Sequence, residues 1–201
     1  MSCPFCDFSK IKKRTIATVD GFHIVASLGQ ITDGGYLLII PQYHTPCLGN
    51  LDKNQTFKLN SLSYHLSAIL EEEYQEPVII FEHGIVGQTI PHAQLHILPA
   101  KINIKSQVER NFPGSKIEAI KDFLALQKKY QETRTPYLLW TTPRNKMMVC
   151  WNPPAPPEYL RLLTARLLGV PERGSWRNMD SKLDQALIYQ TIEKLNPNFI
   201  P

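Results

Sequence analysis

The sequence predicts a mixed α+β fold, and three observations carry that prediction. Residues 15–19 and 22–27 are β-rich segments joined by Asp20-Gly21, a strong two-residue hairpin signal. Tyr36-Leu-Leu-Ile-Ile-Pro41 and Pro77-Val-Ile-Ile-Phe-Glu-His-Gly84 contain short continuous apolar runs, the pattern of strands covered on both faces. Residues 51–74 instead repeat apolar side chains near a 3.6 period, at Phe57, Leu59, Leu62, Leu66, Ile69 and Leu70, which predicts one long helix ending in Glu71, Glu72 and Glu73.

The second half continues the mixture. Ser115-Lys-Ile-Glu118 has the spacing of a capping box and predicts a helix through Ile120, Phe123, Leu124 and Leu126. Residues 137–141 and 147–151 flank Pro143-Arg-Asn-Lys146 as a hairpin. The prolines from Pro153 to Pro157 precede a helix from Glu158 with a stripe of Leu160, Leu163, Leu167 and Leu168, stopped at Gly169. Residues 180–195 form a last helix. With no repeat and no clean linker, the two halves are expected to pack together, as a domain of residues 1–104 and a mainly helical extension of residues 105–201 that contains the hairpin.

A chain of 201 residues with 43% apolar, 20% charged and 9% aromatic residues is ordinary for a globular protein. The formal charge is +4, and the one basic cluster, Lys10, Lys12, Lys13 and Arg14, has the look of a solvated connection. Both observations argue against a nucleic-acid partner. No apolar run approaches the roughly 20 residues of a membrane span, and no apolar leader opens the chain. A cytoplasmic protein with reduced or metal-bound thiols is expected.

The sharpest chemistry lies in residues 87–99. Alternation puts His92, Gln94 and His96 on one face of a strand and Ala93, Leu95 and Ile97 on the other. Gly87-Gln88-Thr89 just upstream offers a flexible turn, a hydroxyl and backbone N–H groups suited to phosphate. At the N-terminus, Cys3-Pro-Phe-Cys6 has the spacing of half a zinc site, and His44, Cys47 and His92 are candidates for the other half. His65 reads as a plain surface residue, and Trp140 and Trp151 as core. Arg144, Lys146, Arg161 and Arg166 could reach a phosphate from the second half.

His92-Ala-Gln-Leu-His96, followed by two apolar residues, resembles the His-x-His-x-His signature of the histidine triad (HIT) superfamily. Gly87-Gln-Thr-Ile-Pro-His resembles its Gly-Gln-Ser/Thr-Val-x-His turn, and Gly35-Tyr-Leu-Leu-Ile-Ile-Pro-x-x-His44 its strand ending in histidine. Cys3-Pro-Phe-Cys6 resembles the zinc-binding start of many bacterial members, and Phe81-Glu-His-Gly84 is similar to a group of HIT-like chains. The resemblance spans about residues 2–101.

It implies a five-stranded antiparallel sheet with a long helix, a commonly dimeric protein, and a small-molecule nucleotide or other phosphorylated ligand. It also implies hydrolase or nucleotidyltransferase chemistry at a phosphoester or phosphoanhydride, through a nucleophilic middle histidine. His92 then corresponds to the orienting histidine, His96 to the phosphate-side histidine, and Gly87, Gln88 and Thr89 to phosphate contacts. The implied Zn2+ ligands are Cys3, Cys6, His44 and His92. The nucleophile position holds Gln94, so the catalytic set becomes His96, Gln94 and His92, with water attacking in place of a side chain. The alternative is a protein that kept the pocket and lost the covalent step. The ribose position falls at Leu28 and a phosphate-side amide position at Phe81, for which Ser27, Gln30, Glu82 and His83 are the expected nucleotide-binding substitutes.

Overall fold

The computed structural model describes residues 3–199; the outermost residues of the two expected domains, 1–2 and 200–201, lie outside the described residues. In chain order the elements are α1 (Phe8–Ile11), β1 (Thr15–Val19), β2 (Phe22–Ala26), β3 (Leu37–Pro41), α2 (Lys53–Tyr74), β4 (Val78–Gly84), β5 (Leu95–Pro99) and α3 (Lys105–Asn111). They continue as β6 (Lys116–Ile120), α4 (Phe123–Thr133), β7 (Tyr137–Thr141), β8 (Met147–Trp151), α5 (Tyr159–Leu167) and α6 (Ser181–Leu195).

The β1–β2 turn works because Asp20 and Gly21 both adopt left-handed backbone, at φ +54° and +89°, so its twist matches that of the strands. Helix α2 starts at a reciprocal capping box between Asp52 and Gln55 and buries Leu59, Leu62, Leu66 and Leu70 at helical spacing. Phe57 does not belong to that stripe; it is 66% exposed on the outer surface.

The eight strands of the described residues form one antiparallel sheet in the order β1-β2-β3-β5-β4-β7-β8-β6. The five strands of the first half are contiguous within it, but the expected five-stranded sheet is only part of the whole. The edge of β4 pairs with β7, Glu82 opposite Leu139 and His83 opposite Leu138, and the 137–151 hairpin carries the sheet onward. A free β4 edge would present unpaired backbone groups, and β7 covers it. The second half keeps the helical character expected of it, with α3 an addition, but contributes three strands where a hairpin of two was expected. Residues 116–120, read as the start of a helix, form β6 against β8, and the cap that starts α4 is Asp122, whose side chain accepts from Ala125 N–H. Alternation in Lys-Ile-Glu-Ala-Ile decided that segment over the Ser-x-x-Glu spacing.

Strand parity sorts the core into two faces. Leu37, Ile39, Ile80, Leu95, Ile97, Tyr137 and Leu139 pack beneath α2 and α4. Ile79, Phe81, Leu98, Leu138 and Trp140 face the side covered by α5, while Val25, Leu38 and Ile40 on that side meet Phe5 and Ile11 of the N-terminal segment. Helix α6 holds the 27–35 loop: Asp184, 8% exposed, accepts from the N–H groups of Gly29 and Gln30 at 3.0 and 2.9 Å, and Thr191 Oγ1 accepts from Gly35 N–H. Substituting Asp184→Ala strands two buried donors, and urea denaturation should show a loss of about 2–5 kcal/mol.

Candidate functional site

A cavity of about 280 Å3 opens on the second face, at the ends of β4 and β5, between the N-terminal segment, the 87–94 loop and α5. The expected site strand begins only at Leu95; residues 87–94 are a loop, although His92, Gln94 and His96 keep the predicted parity against Ala93 and Leu95. The loop leaves β4 through Ile85 at φ +79°, a strained position for a β-branched residue, and turns at Gly87. A Cβ on Gly87 would lie 2.9 Å from Pro156 O and 3.0 Å from the His83 ring, and Glu158 N–H donates to Gly87 O at 2.9 Å. Only glycine permits this close approach.

The polar end of the cavity holds Ser27, His83, Gly87, Gln88, Thr89, Gln94 and His96, and the apolar side holds Phe5, Ile11, Leu28, Leu38 and Ile90. A hydrogen-bond chain fixes the imidazole of His96. The Arg161 guanidinium donates to Tyr36 OH at 2.8 Å, and Tyr36 OH lies 2.6 Å from His96 Nδ1. Arginine only donates, so the Tyr36 oxygen accepts from it, and assigning the hydroxyl hydrogen to His96 makes Nδ1 the acceptor. Burial, with His83 and Arg161 nearby, pushes the His96 pKa well below its ordinary value, so the ring is neutral and, in this assignment, carries its proton on Nε2. It stacks on Phe81, centroids 4.5 Å apart and planes at 11°.

His83 is fixed similarly. Its Nε2 accepts from Leu160 N–H at 3.0 Å, in the first turn of α5, and burial plus the Arg161 charge bring its pKa down to about 3. The neutral ring therefore bears its proton on Nδ1. Both imidazoles spend their lone pairs on the protein and have N–H groups left to give.

Beside the cavity, Cys3, Cys6, His44 and His92 bring their ligand atoms within 4.8 Å of one another. Cys3 Sγ to His92 Nδ1 and Cys6 Sγ to His44 Nδ1 are both 3.4 Å, and Cys6 Sγ to His92 Nδ1 is 3.6 Å. A tetrahedral ion bound at ordinary Zn–S and Zn–N lengths has S···N edges of about 3.5 Å, so these donors fit a metal ion. His92 Nε2 donates to Pro41 O at 2.9 Å, which leaves Nδ1 free to ligate. Cys47, the other sulfur considered, is buried in the core under α2, and its thiol is pushed up to about 12, chiefly by desolvation. Cys3-Pro-Phe-Cys6 joins both sites, since Pro4 and Phe5 line the cavity.

Other expected residues lie elsewhere. His92 belongs to the metal cluster and not to the cavity wall. Gln30 is spent on the backbone of Ser27 and Tyr36. Glu82 points to the opposite face, where it accepts from Leu48 N–H at 2.7 Å and Tyr137 OH at 2.6 Å. One residue of strand separates it from His83 and reverses its side. Lys10 and Arg14, read as part of a solvated connection, line the cavity. Arg161 does so too, but Arg144 and Lys146 sit on the exposed β7–β8 turn and Arg166 beside a separate groove. Glu158 and Trp176 complete the wall from the second half and carry no motif.

No family model matches the chain, and no curated protein does. Among solved structures, it is similar to the crystal structure of a hypothetical histidine triad nucleotide-binding protein from Sulfolobus tokodaii strain 7. The two are 19% identical over 49% of this chain and 68% of that one, with a TM-score of 0.43. At that score the likeness carries no weight of its own, and the case for function rests on side chains. Among the described residues, no helix is long and apolar enough to cross a membrane.

Two outcomes follow from this geometry. Elemental analysis of the purified chain should find one transition-metal ion, retained by Cys47→Ser and lost by Cys6→Ser combined with His44→Ala. Burial raises the Glu82 pKa to about 8 from an ordinary 4.5. The folded state thus holds a proton that the unfolded chain releases, so the contribution of Glu82 to stability falls as pH rises from about 4.5 to 8, while the neutral buried His83 and His96 act in the opposite sense below about 6.5. Denaturation midpoints of the wild type should therefore decline relative to those of Glu82→Gln across that range.

Proposed function

We propose that this chain is a HIT-like protein that binds a nucleotide or related phosphorylated ligand non-covalently in the cavity between the first half and α5. Residues 1–104 form the HIT-like unit, residues 105–201 an extension that closes the site, and the Cys3, Cys6, His44 and His92 cluster holds Zn2+. The metal supplies a fixed scaffold for the N-terminal wall. The reading is supported by the triad-like sequence, by the anion-suited loop at Gly87, Gln88 and Thr89, and above all by the imidazole tautomers.

That last feature supports binding over covalent chemistry. A nucleophilic imidazole needs a lone pair aimed at phosphorus at about 3 Å. His96 presents Nε2–H toward the cavity, and His83 has its Nε2 lone pair occupied by Leu160 N–H. Gln94 stands at the position of the family's nucleophile, and an amide lacks the basicity to replace it. These groups are suited to donating hydrogen bonds to phosphate oxygens. Ser27, Gly87, Gln88 and Thr89 add polar contacts, His92 serves the metal, and Gln30 and Glu82 have no part.

Calorimetry with AMP should show saturable binding to the wild type, weakened at least tenfold in His96→Ala. Incubation with adenosine phosphoramidate, dinucleoside polyphosphates and nucleoside diphosphate sugars should give no turnover. Wild-type turnover that disappears in His96→Ala would instead establish a hydrolase or transferase using water. Absence of binding by any phosphorylated compound would leave the strand and metal as scaffold.

A further inference from the structure

Arg161 on α5 is the most unusual charged group in the molecule. It is 5% exposed and lines the cavity, yet it makes no salt bridge among the described residues. Its contacts are all to uncharged oxygens: Nε to Gly174 O at 3.2 Å, one terminal nitrogen to Tyr36 OH at 2.8 Å and Ser27 Oγ at 3.4 Å, the other to Gly29 O at 2.9 Å. Buried charges are ordinarily paired. The nearby carboxylate, Glu158, is committed to Arg177 at 2.6 Å.

The rest of the wall is cationic too, but less so. Lys10 and Arg14 also line it, Lys10 lying 3.9 Å from Asp7 and Arg14 within reach of Asp184, so Arg161 is the cation of the wall with no carboxylate of its own among the described residues. The cavity, about 280 Å3, is near the small end for ligand sites and has room for a phosphoryl group with part of the body attached to it. A bridging phosphate in a diester or dinucleotide carries one charge and two substituents; a terminal phosphate carries about two charges and one substituent.

Resting on the nucleotide or phosphate-ligand reading above, we infer that the cavity selects a terminal phosphate monoester in its dianionic form, with Arg161 of the second half as its counter-charge. Specificity then comes from the extension as much as from the triad-like strand. The apolar residues Phe5, Leu28 and Leu38 favour a ligand whose body is held by packing, since Leu28 offers no hydrogen bond to a ribose diol.

The test compares AMP, AMP methyl ester, adenosine and inorganic phosphate by calorimetry on the metal-loaded 201-residue chain at pH 8. Methylation removes one charge and adds one substituent at the same phosphorus. AMP should bind at least tenfold more tightly than its methyl ester, with adenosine showing no saturable binding and inorganic phosphate binding measurably. Arg161→Met should lower the AMP affinity toward that of the ester while changing the ester's own affinity little; Arg161→Lys should recover part of the difference. Because Arg161 also ties Gly29, Tyr36 and Gly174 together, its variants are read only where thermal unfolding stays cooperative, and the wild-type ligand series decides otherwise. Equal affinity for AMP and its methyl ester would overturn the inference and leave the proposed function standing. Failure of every phosphate-bearing compound to bind would overturn both.

Discussion

The hydrogen-bond chain from Arg161 through Tyr36 to His96 is the constraint on which the site depends. It starts on α5, passes through the residue just before β3 and ends on β5, so it joins the two halves of the molecule across their shared face. It also has a direction. Arginine cannot accept, and with the Tyr36 hydroxyl turned to Nδ1 the His96 ring is left as a donor toward the cavity. The first turn of α5 does the same for His83, whose lone pair satisfies a helix N–H that would otherwise have no partner. Docking of one short helix thereby sets the chemistry of two histidines.

The sheet explains why that helix lies where it does. Because β7 pairs with β4 in register, the second half is attached along the strand that carries His83, and α5 returns over the same face. Glu158 N–H on Gly87 O then fastens the loop that the triad-like sequence supplies. The N-terminal segment closes the other side, and its two cysteines and the two cavity-lining residues between them are four consecutive positions. Metal cluster and cavity share a wall without sharing a ligand atom.

Much of this was legible in the sequence because short-range rules governed it. The Asp20-Gly21 hairpin, the α2 helix, the 137–151 hairpin and the start of α5 at Glu158 each rest on local turn chemistry or periodicity. Parity along β5 was readable too, and the same rule applied to β4 separates Glu82 from His83. Assigning both to one site overlooked that neighbouring strand residues face opposite ways. Residues 116–120 offered two local signals, and pairing with a strand 31 positions later in register, Lys116 to Trp151 at its far end, prevailed. Arg161, Glu158 and Trp176 reach the cavity only through the docking of the second half, a long-range event that no motif encodes. Lys10 and Arg14 were hidden for the same reason: a basic run looks solvated until the fold turns one face of it inward.

Gln94 is most easily understood within this electrostatic setting. Placing an amide among a buried guanidinium and two N–H-bearing imidazoles adds another neutral hydrogen-bonding group and no further charge. A third histidine at that position could act as a nucleophile only with a free lone pair and a partner to hold its tautomer, and the neighbouring imidazoles have already committed theirs to Tyr36 and Leu160. On the proposed reading these surroundings suit retention of an anion: Lys10, Arg14 and Arg161 line the cavity beside the hydrogen-bonding groups of Thr89 and Gln94. In such a cavity the same interactions that stabilise a phosphate would stabilise it equally before and after any reaction, and uniform binding of that kind yields affinity without rate.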